Sequence, residues 1–135
     1  MRFPPLEGDI LFHGTSSTEL FEKYDGTPDG PAWFSDTVAV ADHFKNWHKG
    51  PNPRVIKYRV VAEPNLCIIQ YENAIRDLVG DDMFEEGLEV EDLVDAVQDA
   101  GYDGWFMPDN YPDGADIMIL YPESFLEFYE VNEVD

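Results

Sequence analysis

At 135 residues, 44% hydrophobic and 14% aromatic, the chain is long enough to bury a core as one domain (1–135) and too apolar for a disordered acidic tail. Its net charge of −21 argues against direct binding to nucleic acid or to an anionic membrane. No apolar run approaches the roughly 20 residues that span a bilayer, and residues 1–8 lack an apolar leader core, so a cytoplasmic location and no membrane partner are expected.

The first strand is predicted over residues 9–12, running into His13. Ser16-Ser17-Thr18-Glu19 has the form of a capping box and opens a short helix to about Tyr24. Residues 25–31 are rich in Gly, Pro and Asp and read as a loop. Ala32-Trp33-Phe34 is a short strand, after which Ser35 or Asp36 can cap a helix to about His48. Its apolar face would carry Val40, Phe44 and Trp47 at i, i+4 and i+7. Residues 54–62 alternate, with Ile56, Tyr58 and Val60 on one side and Lys57 and Arg59 on the other, which is strand spacing. Cys67, inside the run Leu66-Cys67-Ile68-Ile69, reads as a buried thiol. Helices are expected over 72–79 and 89–100, the second ended by Gly101 in a left-handed conformation. Three strands close the chain, at 105–107, 116–121 and 125–131, with a loop at 108–113. The class is α+β.

Five of the eight basic residues fall between 45 and 59: Lys45, Lys49, Arg54, Lys57 and Arg59. A cationic segment in so acidic a chain suits a site for an anionic ligand, or simply balances neighbouring acids. The three histidines show no zinc-ligand spacing, so no metal is expected. Phosphate-loop, dinucleotide-fingerprint and nucleophile-elbow patterns are absent.

His13-Gly14-Thr15, then Trp33-Phe34-Ser35-Asp36, then Phe44 eleven residues after Trp33, and finally the run opening at Asp116 resemble the ADP-ribosyltransferase superfamily. The resemblance is to its branch of diphtheria-like toxins and poly-ADP-ribose polymerases. It covers roughly residues 9–48 and 101–131, the latter including Gly101-Tyr102-Asp103-Gly104-Trp105. It implies a split-sheet fold, with an NAD cleft between two small β-sheets and flanking helices, and NAD as substrate. His13 would hold the adenosine ribose, the Gly14 backbone the nicotinamide carboxamide, and Thr15 the nicotinamide ribose. Trp33 and Phe44 would wall the nicotinamide slot, with Phe34 and Ser35 beside them. A ring stacked on a pyridinium gains roughly 0.5 to 2 kcal/mol.

Asp116 stands where the family carries its catalytic Glu, and Asp109 is the second candidate acid. Such a carboxylate would bind the ribose 2′-OH and stabilise an oxocarbenium-like transition state. The chain departs from the family in Phe44 for Tyr, Ala41 for Ser and Asp116 for Glu. Gly114 stands where arginine-modifying members place the first acid of Glu-x-Glu. The expected activity is transfer of one ADP-ribose to a protein acceptor, for which a basic surface would suit this charge, with NAD hydrolysis as a related outcome. The size fits a bacterial or phage effector. Two other readings compete: a catalytically degenerate NAD-binding module, and an unrelated acidic inhibitor or nucleic-acid mimic.

Overall fold

A computed structural model describes residues 4–15, 31–45, 54–70, 72–111 and 114–132. Two β-sheets, three-stranded and four-stranded, and a helical layer make an α+β fold. The first sheet orders β1 (Ile10–Thr15), β3 (Arg54–Val60) and β7 (Leu126–Asn132) as β1-β3-β7. The second orders β2 (Ala32–Phe34), β6 (Gly114–Ile119), β5 (Gly104–Tyr111) and β4 (Leu66–Ile68) as β2-β6-β5-β4. Only β4 and β5 run parallel. A parallel pair needs a long crossover, and α2 (Glu72–Val79), α3 (Asp81–Glu86) and α4 (Val90–Asp99) supply it. The last helix in space, α1 (Val38–Lys45), packs on β1, β3 and β6.

Strand alternation sorts the second sheet into two faces. Ala32, Phe34, Phe106, Ala115, Ile117 and Ile119 face the first sheet and meet Leu11, Ile56, Tyr58 and Val60. Trp105, Met118 and Cys67 face the other way, against Leu93 and Val97 of α4 and the apolar side of α2. The expected alternation of β3 is borne out, with Ile56, Tyr58 and Val60 fully buried and Arg59 exposed.

The expected elements hold with adjusted ends. The helix expected from residue 35 or 36 begins at Val38, and Ser35 and Asp36 before it also bond across to β6. The Ser35 hydroxyl donates to the Ala115 carbonyl at 2.7 Å, and Asp36 Oδ1 accepts the Ala115 N–H at 2.9 Å. The loop expected at 108–113 is in large part strand: β5 continues to Tyr111, with a register shift between Met107 and Tyr111. Gly101 has φ +87, as its position after α4 requires. Helix α3 was not expected; it buries no residue and so leaves no apolar period to read. The helix placed at 16–24, the loop at 25–31 apart from its last residue, Pro31, and Trp47, His48, Lys49 and Asp113 lie outside the described residues.

Candidate functional site

The two sheets touch at a seam. Phe12 and Ser35 exchange both backbone hydrogen bonds, each 2.8 Å, so the free edge of β1 is joined to the segment that follows β2. Backbone groups on a strand alternate sides. Those of Gly14 therefore point the same way as those of Phe12, and those of Trp33 the same way as those of Ser35. Had the pairing continued, Gly14 would face Trp33. The sheets splay there instead, and the Trp33 carbonyl is taken by the imidazole of His13, with Nδ1 at 2.6 Å.

That bond defines the chemistry of His13. Its side chain lies on the inward face of β1, with its ring 5.3 Å from that of Phe34. Burial, opposed by the Trp33 carbonyl and helped by the positive Arg54, holds its pKa below the ordinary 6.5. A neutral imidazole donating from Nδ1 presents Nε2 as a hydrogen-bond acceptor.

Arg54, paired across from Thr15 at the start of β3, is 1% exposed and shares the inward face with His13. Of the basic segment it alone is directed inward among the described side chains. Lys57 binds Glu130 at 2.5 Å and Arg59 lies over the Tyr129 ring, both away from His13. The side chain of Lys45 and all of Lys49 lie outside the described residues. Of the three basic side chains described in the expected cationic segment, one guanidinium faces the site, since strand alternation turns Lys57 and Arg59 outward. Its positive charge also acts on Tyr58, whose hydroxyl burial drives well above its ordinary range.

Trp33 connects the seam to Asp116. Its ring lies on the helical face of the second sheet, edge-on to Trp105 at 5.4 Å. On β6, Ala115 and Ile117 face the inter-sheet core, so Asp116 between them emerges on the same face as Trp33. Trp33 pairs with Met118, making Asp116 its diagonal neighbour. Asp116 is 5% exposed and pairs with Met107.

Phe34 and Ser35, expected beside the slot, have buried side chains engaged within the fold. Phe34 lies edge-on to Tyr58, and Ser35 also accepts the Thr37 N–H at 3.2 Å. Thr15 ends β1, Phe44 is in α1 and Asp109 is in the shifted stretch of β5; their side chains lie outside the described residues. Gly114 explains the missing Glu-x-Glu acid. A Cβ there would run into Thr37 Oγ1 and stand 3.0 Å from both Asp36 Oδ1 and Val40 Cγ2.

No family model matches the chain, and no curated protein sequence matches it. A solved structure does. The fold is shared with a protein of a toxin–antitoxin complex. A chain in the crystal structure of the M. tuberculosis MbcT–MbcA toxin–antitoxin complex superposes with a TM-score of 0.57 over 94% of this chain and 84% of that one. At 10% identity the likeness is one of architecture.

Arg54 and Trp105 also stand near the site. In the sequence Arg54 groups with four other basic residues, although its place in step with Ile56, Tyr58 and Val60 already puts it on the inward side of β3. Trp105 follows Gly101-Tyr102-Asp103-Gly104, a stretch with structural work of its own. Asp103 Oδ2 accepts the Asn65 N–H at 2.7 Å, and the Asp103 carbonyl accepts the Leu120 N–H at 2.9 Å. The indole N–H of Trp105 is buried with no hydrogen-bond partner among the described residues.

Proposed function

We infer that the chain binds NAD at the splayed seam and transfers a single ADP-ribose to a protein acceptor. The observation that carries this reading is the convergence on Trp33 of groups far apart in sequence: His13 at its carbonyl and Asp116 diagonal to its ring. The backbone of Gly14, turned into the gap between the sheets, suits a carboxamide, which offers one donor group and one acceptor. The Nε2 of His13 suits a ribose hydroxyl as donor. Arg54 supplies positive potential on the inward face, in a chain whose net charge is −21. Phe44 and Thr15 keep their proposed roles as second wall and ribose contact, and Asp109 remains the alternative acid.

In the reaction, the bond between the ribose C1′ and the nicotinamide nitrogen breaks, and the electron pair leaves with nicotinamide. The acceptor's nucleophile bonds to C1′ and gives up its proton to solvent. Asp116 would hold the 2′-OH and face the positive charge that develops on the ribose, an interaction stronger in the transition state than before it. Water in the acceptor's place would give hydrolysis. The fold shared with a member of a toxin–antitoxin complex supports an effector role and a protein partner.

The test is incubation with labelled NAD and cell extract, comparing the wild-type chain with His13→Ala and Asp116→Asn. Label on a protein band, reduced at least about a hundredfold in Asp116→Asn and abolished in His13→Ala, is expected. Thermal stabilisation by NAD with no label would replace transfer by binding alone. The committed side chains of Phe34 and Ser35 favour that second reading. Absence of both responses would sink the NAD proposal.

A further inference from the structure

The helical layer concentrates the chain's charge. Residues 72–100 contain eleven acidic residues and one basic residue, Arg76, which pairs with Asp81 at 3.7 Å and lies over the Phe84 ring. Between α2, α3 and α4 runs a groove of about 390 Å³, lined by Leu78, Val79 and Met83 together with Asp92, Asp95 and Asp99. The three aspartates fall at i, i+3 and i+7, one face of α4. Like charges at such spacings repel, and Asp99 stands at the C-terminal end, where the helix dipole disfavours an anion. No basic residue occupies the last turn of α3 or of α4. The isolated chain therefore holds a strained line of carboxylates beside an apolar strip, with Met83 43% exposed at its border. Unbranched and polarisable, a methionine side chain adapts to varied partners.

We propose that this groove docks an amphipathic, basic helix of a partner protein. Its apolar stripe would lie on Leu78, Val79 and Met83, and its lysines or arginines would flank the aspartates. The charge complementarity names the occupant. A metal ion does not fit, because no group of three or more carboxylate, histidine or cysteine side chains among the described residues is placed to hold one. Residues 92 to 99 of α4 extend about 10 Å at 1.5 Å per residue, matching two turns of a docked helix. The mode is helix-in-groove recognition, and it stands independently of the NAD reading.

The probe is a synthetic peptide of lysine and leucine at helical spacing, titrated by calorimetry at physiological ionic strength. A peptide of the same composition in scrambled order is the control. The combination Asp95→Asn with Asp99→Asn spares Asp92, which accepts the Glu89 N–H that opens α4. This pair, and separately Met83→Gln, should each weaken binding roughly tenfold. Glu63→Gln with Glu127→Gln removes as much exposed charge elsewhere and should change affinity less than about twofold. The scrambled peptide should bind at least about tenfold more weakly. Equal binding of the two peptides, equal loss in the control variant, or no binding to the wild-type chain would overturn the proposal. Because none of these substitutions touches His13, Trp33 or Asp116, labelling with NAD should persist in all of them where the wild-type chain shows it.

Discussion

The two ends of strand β3 present the same inward face to different surroundings. At one end Val60 pairs with Leu126, buried in hydrocarbon, and its backbone closes onto Gly8 and Asp9 at 2.8 and 2.9 Å. At the other end stands Arg54, equally buried, beside His13. Burying a charge or an imidazole is unfavourable unless fixed dipoles and partners compensate, whereas Val60 needs none. Along β3, polar burial falls at the splayed end, where the proposed NAD site lies.

The largest effect should come from Gly104. Its φ is +155, and a Cβ there would collide with the Met118 carbonyl oxygen, which is backbone and cannot swing away. Gly104→Ala should cost about 4 kcal/mol or more in urea unfolding, or prevent folding. Gly114→Ala meets first the side chain of Thr37, which can rotate, so its cost should stay near 1–3 kcal/mol. If Gly114→Ala proved the more damaging, Thr37 would be held as firmly as strand backbone.

Truncation refines the same contrast. Ile117, fully buried where the sheets face each other, should lose about 2–5 kcal/mol as Ile117→Ala. Ser35→Ala leaves the Ala115 carbonyl without its donor and loosens the seam, for about 1–3 kcal/mol by chemical denaturation. The serine change should also shift NAD-dependent thermal stabilisation, since it lies one residue from Phe34 and two from Trp33. The isoleucine change should lower stability without altering that response. Equal effects on the response would place the ligand elsewhere.

Periodicity made most of the architecture legible. Alternation in β3 and the heptad-like stripe of α4 each mark one buried face, and one buried face is what such patterns report. Extended β5 escaped because Pro108, Asp109 and Asn110 read as turn, while pairing with β6 on either side of them, at Met107 and Tyr111, keeps the segment in strand. The Ser35 hydroxyl keeps a local bond of the kind its position suggests, accepting the Thr37 N–H, and adds one that no local pattern foretells, donating to the Ala115 carbonyl eighty residues away. For the site, order and spacing sufficed to nominate His13, Trp33 and Asp116. What remained hidden was which side of β2 carries the ring of Trp33. That depends on pairing between distant strands, because a three-residue strand has too short a pattern to encode it.

The smallest predicted effect reads the polar end directly through pH. In the folded chain burial holds His13 below 6.5, while in the unfolded chain it titrates near that ordinary value. As pH falls through 6.5 the unfolded state takes up the proton first, so stability is lost from there down to the folded pKa and is fully present above 6.5. The slope in that window should reach up to about 1.4 kcal/mol per pH unit, and His13→Gln should remove this part of it. Arg54→Met takes away a positive charge that resists protonation. The imidazole pKa, followed by NMR titration, should then rise toward 6.5 and narrow the window from below. An unchanged or lower value would mean that Arg54 and His13 do not share the inward face, and with that the electrostatic contrast between the two ends of β3 would fail.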